Sequence, residues 1–250
     1  MQKNKKAELA IKDLLSRQDY LVVQGNDLAK SFGGLKAFEQ KVLDYCFSFV
    51  TKDSKPNEDY KVPILDIIKH FGLNTSGENY RRIGDAFKRL NENTALYLPI
   101  ERDGVKAIRM TQLFSYIDLT VEGMAYFRFG EFASPYIFEL KEHFYSFRLG
   151  ELAKINGKYA LIMLKLWESN RRGREKYTTI TATLEDWQEW FLGKDKTMPT
   201  GQFFNNVIVR GTNELEKKLP VEFFVTTQKR GRKVTGYEIT ITDTSIKENN

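Results

Sequence analysis

A run of short elements in one fixed order occurs twice in this chain, and few folds are compatible with it. In the first run the strand Tyr60-Lys61-Val62 is followed by a short helix over 64–71 that Gly72 stops. A polar linker, Asn74-Thr75-Ser76-Gly77, then leads into a longer helix to about residue 91. Residues 95–100 and 107–120 flank the turn Glu101-Arg102-Asp103-Gly104 and are expected to pair as a hairpin. The second run repeats this with the strand Thr178-Thr179-Ile180-Thr181, a helix over 184–192 stopped by Gly193, a linker over 194–199 and a helix over 200–218. Its hairpin has arms at 221–228 and 234–242 around Lys229-Arg230-Gly231-Arg232-Lys233. An apolar helix precedes each run. One spans 36–50, with Phe38, Val42, Tyr45, Cys46 and Phe49 at amphipathic spacing; the other contains Tyr159, Leu161, Ile162, Leu164, Leu166 and Trp167.

Helix, turn, helix and hairpin is the order of a winged helix. The expected fold is therefore α+β, with tandem winged-helix (winged helix-turn-helix) domains related by internal pseudo-symmetry. Residues 1–19 read as a charged lead-in, and Tyr20-Leu21-Val22-Val23 as a strand before a turn at Gln24-Gly25-Asn26-Asp27. The division falls near Ser134-Pro135, where proline discourages a continuing helix. This gives a first domain over 20–134, a second over 135–243 and a tail over 244–250.

With a single cysteine the chain has no intrachain disulfide, and Cys46 sits in an apolar run as a core residue. No stretch reaches the roughly 18 apolar residues of a membrane span, and Met1-Gln2-Lys3-Asn4-Lys5-Lys6 lacks the apolar run of a signal peptide. A cytoplasmic protein without a membrane partner is expected. The net charge of +6 favours a polyanion, and it is concentrated: residues 194–233 hold nine basic side chains against four acidic ones.

On the helix over 200–218, a rotation of about 100° per residue turns Phe204, Val207, Ile208, Gly211 and Leu215 inward and Gln202, Asn206, Arg210 and Asn213 outward. Amide side chains can pair with adenine and arginine with guanine in a major groove, while Lys229, Arg230, Arg232 and Lys233 at a hairpin tip suit phosphate contact. In the first run Tyr80, Ile83, Gly84 and Phe87 turn inward, and Arg81, Arg82, Asp85 and Arg89 outward.

No enzyme or cofactor is expected. His70 and His143 are isolated from each other, so no paired-histidine motif exists to hold the metal of a nickase, and no Walker loop is present. Glu185-Asp186 reads as the acidic start of a helix. Tyr20, Tyr126 and Tyr159 lack an activating neighbour in sequence.

The sequence resembles the iteron-binding plasmid replication initiators of the Rep_3 type. Three passages carry the likeness: Val22-Val23-Gln24-Gly25-Asn26-Asp27-Leu28 through Glu39-Gln40-Lys41; Phe147-Arg148-Leu149 with Gly157-Lys158-Tyr159-Ala160-Leu161; and Met198-Pro199 through Asn213-Glu214-Leu215 to Lys229-Arg230-Gly231-Arg232-Lys233. The resemblance implies two winged helices, monomers bound to origin repeats in double-stranded DNA, and a homodimer that represses its own promoter. It also implies recruitment of a host helicase or helicase loader, with main recognition in the second domain and dimer plus auxiliary DNA contacts in the first. Where relatives often carry arginines after the helix phenylalanine, this chain has Asn205-Asn206, so an adenine-leaning contact is expected from one of the pair. The alternatives are a winged-helix repressor with no replication role, a module whose basic wing binds an acidic protein, and a nuclease.

Overall fold

A computed structural model describes residues 21–25, 34–51, 53–137, 144–148, 152, 154–173, 175–193 and 196–246. The lead-in over 1–19, Tyr20, Asn26, Asp27, His143, Lys194, Asp195 and the tail end at 247–250 lie outside the described residues. Among the described residues no helix is long and apolar enough to cross a membrane. The chain divides into two compact units, one built chiefly on 41–141 and the other on 24–40 and 154–250.

The first stretch runs β1 (Leu21–Gly25), α1 (Ala37–Phe47), β2 (Asp59–Pro63), α2 (Ile64–His70), α3 (Gly77–Asn93), β3 (Ala95–Arg102), β4 (Val105–Gln112), β5 (Phe114–Leu119), β6 (Met124–Phe129), α4 (Ser134–Ile137) and β7 (Phe144–Arg148). Strands β1 and β7 form a two-stranded sheet. The short helix α4 contains Pro135 in its first turn, where a proline loses no helical hydrogen bond. Gly72, at φ 63°, ends α2 as expected, and the Leu73 N–H donates to the Ile68 carbonyl at 3.0 Å. Helix α3 begins at Ser76, whose Oγ accepts the Asn79 N–H at 3.4 Å. Its buried stripe is Ile83, Ala86, Phe87 and Leu90, while Tyr80 and Gly84, expected inward, are only half-buried at its margin.

Strands β2, β6 and β5 form an antiparallel sheet in that order. Its inner face is aromatic: Phe127 stacks on Tyr60 at 5.3 Å between centroids, and Phe129 on Phe114 at 5.1 Å and on Phe47 at 5.4 Å. The expected arm over 107–120 is in fact two strands. Leu113 is buried, and its backbone bonds to Thr94 at 2.9 Å and Gly130 at 2.7 Å turn the chain from the β3–β4 pair into the β2-β6-β5 sheet. Helix α1 also departs from expectation. It is buried nearly all round, Glu39, Gln40, Lys41 and Asp44 included, whereas an amphipathic helix would expose its polar side. Local bonds offset part of that cost: Gln40 donates to the Leu35 carbonyl at 3.3 Å, and the Lys36 N–H to Glu39 at 2.8 Å. Cys46 is a core thiol, its pKa raised by burial and then by the Asp44 charge.

The second unit carries α5 (Lys158–Asn170), β8 (Tyr177–Thr183), α6 (Leu184–Leu192), a long helix α7 over 200–218, β9 (Val221–Arg230) and β10 (Lys233–Asp243). The expected acidic start of α6 is a capping box, in which Thr183 and Asp186 exchange side-chain and backbone bonds at 3.1 and 3.3 Å. Trp187 is fully buried and its indole N–H donates to the Tyr237 carbonyl at 3.0 Å. The sheet order is β8-β10-β9.

Both three-stranded sheets therefore place the first strand beside the last and the middle strand outside. That shared order is the duplication, in an α+β fold of two winged helices. It corrects the expected first hairpin. By topology the counterpart of β9–β10 is β5–β6, turning at Thr120-Val121-Glu122-Gly123, and the β3–β4 pair is an excursion inserted after α3. The excursion turns at Asp103-Gly104, both with positive φ (53° and 77°), as a two-residue type I′ hairpin requires.

Candidate nucleic-acid interface

The turn between α6 and α7 is held by one side chain. The Gln188 amide donates to the Met198 carbonyl at 2.8 Å and accepts the Met198 N–H at 2.7 Å, which sets where α7 begins. A buried amide that satisfies both groups of one distant residue leaves no periodic trace, and sequence reasoning missed it.

Helix α7 has three parts: α-helical Thr200–Phe203, a π-helical turn Phe204–Val209 and α-helical Arg210–Lys218. The π turn corrects the expected phase. Phe203, not Phe204, is fully buried; Phe204 is half-buried with its ring 5.6 Å from Tyr237. A uniform 100° rotation fails here because the wider turn delays everything after it. Gln202, Asn205, Asn206, Arg210 and Asn213 are all exposed.

Two contacts lock the far end of α7. Gly211 packs on the backbone of Tyr159, so that a Cβ there would lie 3.1 Å from the Tyr159 carbonyl. Glu214 accepts the N–H groups of Asn156 at 2.7 Å and Gly157 at 3.1 Å ahead of α5, and the Lys218 ammonium at 2.9 Å. Lys218, counted among the basic residues of this segment, is thus engaged internally; its Nζ also donates to the Lys154 carbonyl at 2.7 Å. Lys158 is pulled down to about 8, first by burial and then by the neighbouring Lys196 charge, with Glu39 opposing.

The β9–β10 wing is longer and its turn tighter than expected. Arg230 pairs with Lys233, leaving Gly231-Arg232 as a two-residue turn with Gly231 at φ 62°. Because side chains alternate along a strand, Arg230 and Lys233 share one face, Lys229 faces the other way opposite Val234, and Arg232 is at the tip. All four are exposed. On α3 of the first unit, Arg81, Arg82 and Arg89 are likewise exposed, and Arg81 lies 3.9 Å from the Asp85 carboxylate. Among the described residues no group of three His, Cys, Asp or Glu is placed to hold a metal ion.

Residues 21–168 match the family model described as "Initiator Replication protein, WH1", and residues 183–241 the one described as "Initiator Rep protein, WH2". No curated protein matches the chain. Among solved structures the chain is similar to the Pi initiator protein in complex with iteron DNA, at 16% identity and a TM-score of 0.71, over 93% of this chain and 99% of that one. Two structures of RctB domains 2 and 3 align over 86% of this chain at 12% and 14% identity, with TM-scores of 0.43 and 0.39. At 16% identity the likeness to Pi shows a shared fold.

Proposed function

From the premise that this chain belongs to the Rep_3-type initiator replication proteins, we propose that it starts plasmid replication by binding repeated sites, iterons, in the duplex of the origin. The observation that carries this reading is one exposed helix face of amides and a guanidinium beside a wing with four exposed basic side chains. Gln202, Asn205, Asn206, Arg210 and Asn213 read base edges from the major groove, with an adenine-leaning contact from the Asn pair. Lys229, Arg230, Arg232 and Lys233 neutralise phosphates and supply most of the affinity. Arg81, Arg82 and Arg89 add contacts from the first domain, over 20–134, which also dimerises; the second, over 135–243, is the main reader.

The protein acts by binding, with no catalytic centre and no cofactor. Several copies on tandem repeats strain adjacent A·T-rich duplex and recruit a host helicase or its loader in the cytoplasm. A dimer on its own promoter limits copy number. The likeness in fold to Pi, solved in complex with iteron DNA, supports the duplex as ligand.

The test is a mobility-shift titration on the chain's own upstream DNA and on a scrambled duplex of equal length, at two salt concentrations. A ladder of discrete shifts matching the number of repeats is the expected result. One specific shift would instead indicate a repressor of a single operator, and equal binding to both duplexes would overturn the assignment of α7 as reader.

A further inference from the structure

Two anchors set the rotation of α7 about its axis. At one end Phe203 is fully buried, its ring 6.2 Å from Phe191 and 6.3 Å from Tyr237. At the other, Gly211 lies against Tyr159 and Glu214 grips the start of α5. In an unbroken α-helix, at roughly 100° per residue, Gly211 would stand about 80° and Leu215 about 120° around from Phe203. Phe203 would then lie at the edge of the buried stripe. The π turn over Phe204–Val209 takes in one residue more and brings the helix beyond it back by about 100°, which restores a common face.

The sequence carries this turn as an insertion. With one of Asn205 and Asn206 struck out, Val207, Ile208, Gly211, Thr212 and Leu215 come after Phe203 at distances of three, four, seven, eight and eleven residues. That is an uninterrupted α-helical stripe, and all six of its members are buried. Striking out Phe204 would give the same spacing, but Phe204 packs half-buried against Tyr237, so the spare residue is assigned to the exposed Asn pair. A π turn is rare and occurs mostly as a single bulge, frequently at functional sites, and the stripe would close without it, so the core alone gives no reason to keep it.

We propose that the π turn is a specificity element. It puts one extra residue on the DNA-facing side, presents Asn205 and Asn206 together between Gln202 and Arg210, and sets the angle of that group against the anchored remainder of the helix. This rests on the proposed function, in which the same face reads the origin repeats.

The experiment compares the full-length chain with a variant lacking one residue of the Asn pair, and with Asn205→Ala and Asn206→Ala, which keep the helix length. Deleting either asparagine gives the same sequence, so one variant covers both. Thermal unfolding is measured, together with affinity for the chain's own repeat and for a scrambled duplex. The deletion is expected to melt at or above the wild-type temperature and to bind scrambled DNA as before. Its preference for the repeat should fall by about tenfold or more, further than in either alanine variant. A deletion variant that melts lower or does not fold would show that the core needs the extra residue, and would overturn the proposal. So would a preference that survives the deletion, or an alanine variant that loses as much. A wild-type chain with no preference would overturn the functional reading and this inference with it, whereas survival of the preference in the deletion alone would leave that reading standing.

Discussion

Glu214 is the residue through which helix α7 is tied to the start of α5, and its charge is part of the tie. Burial by itself would raise its pKa, but the N–H groups of Asn156 and Gly157 and the Lys218 ammonium outweigh burial and hold it below the ordinary carboxylate value. A carboxyl lowered in the folded state contributes stability above its unfolded pKa, and that contribution is lost as pH falls through the folded value. Glu214→Gln should therefore cost about 1.5 kcal/mol at neutral pH, the lower end of the range for a hydrogen bond to a charged group. In urea unfolding, the gap to wild type should close as pH is lowered into the acid range. A gap that stayed constant with pH would assign the loss to packing. Gly157 belongs to the same device, since a Cβ there would collide with the Glu214 carboxylate, and Gly157→Ala should lower the melting temperature. None of this was legible in the sequence. Glu214 is far along the chain from Asn156, and a lone carboxylate on a helix reads as a solvated charge.

The elements that could be read from the sequence are those whose period is unbroken. Tyr80, Ile83, Gly84 and Phe87 keep helical spacing, and α3 is where that spacing puts it, although its buried stripe is Ile83, Ala86, Phe87 and Leu90. In α7 the same reasoning chose Phe204 over Phe203 because the π turn shifts the phase, and in β4–β5 it joined two strands because nothing in the residues around Leu113 marks a change of partner. The wing shows the other limit: Lys229, Arg230, Arg232 and Lys233 were visible as a basic cluster, but their division between two faces depends on the pairing of Arg230 with Lys233. That division is testable. If the face shared by Arg230 and Lys233 lies on the duplex, the Arg230→Ala, Lys233→Ala double variant should weaken binding to repeat and scrambled DNA alike. It should also flatten the slope of log affinity against log salt by roughly one to two, while Lys229→Ala changes it less. A change in base preference without a change in slope would contradict the phosphate role. The base of the wing is tight as well. At Gly236, beside the irregular register after Val234, a Cβ would run into the Ala182 carbonyl, so Gly236→Ala should open the β8–β10 pairing and lower the melting temperature.

Across the whole chain, one topology is used twice with different surface chemistry. The order of short elements was legible because glycines, polar linkers and hairpin turns punctuate both halves in the same places, whereas the β3–β4 excursion was hidden inside what looked like a wing. The exposed side of α7 is mainly neutral amides, which can discriminate base edges. The exposed side of α3 carries Arg81, Arg82 and Arg89 together with acidic neighbours, and its ion pairs Arg81–Asp85 and Lys88–Glu92 are both 3.9 Å long. A pair of that length on an open helix holds its charges weakly, so Arg81 can exchange the Asp85 carboxylate for a phosphate at little cost. The halves should thus divide the work, with α7 setting preference and α3 adding affinity. The triple variant Arg81→Ala, Arg82→Ala, Arg89→Ala should lower affinity for repeat and scrambled duplex by the same factor and reduce the salt slope, leaving their ratio unchanged. Asn206→Ala should do the reverse, reducing the ratio with the slope intact. If the triple variant altered the ratio, α3 would be a second reader of bases; if it altered neither quantity, these arginines would have no part in binding the duplex.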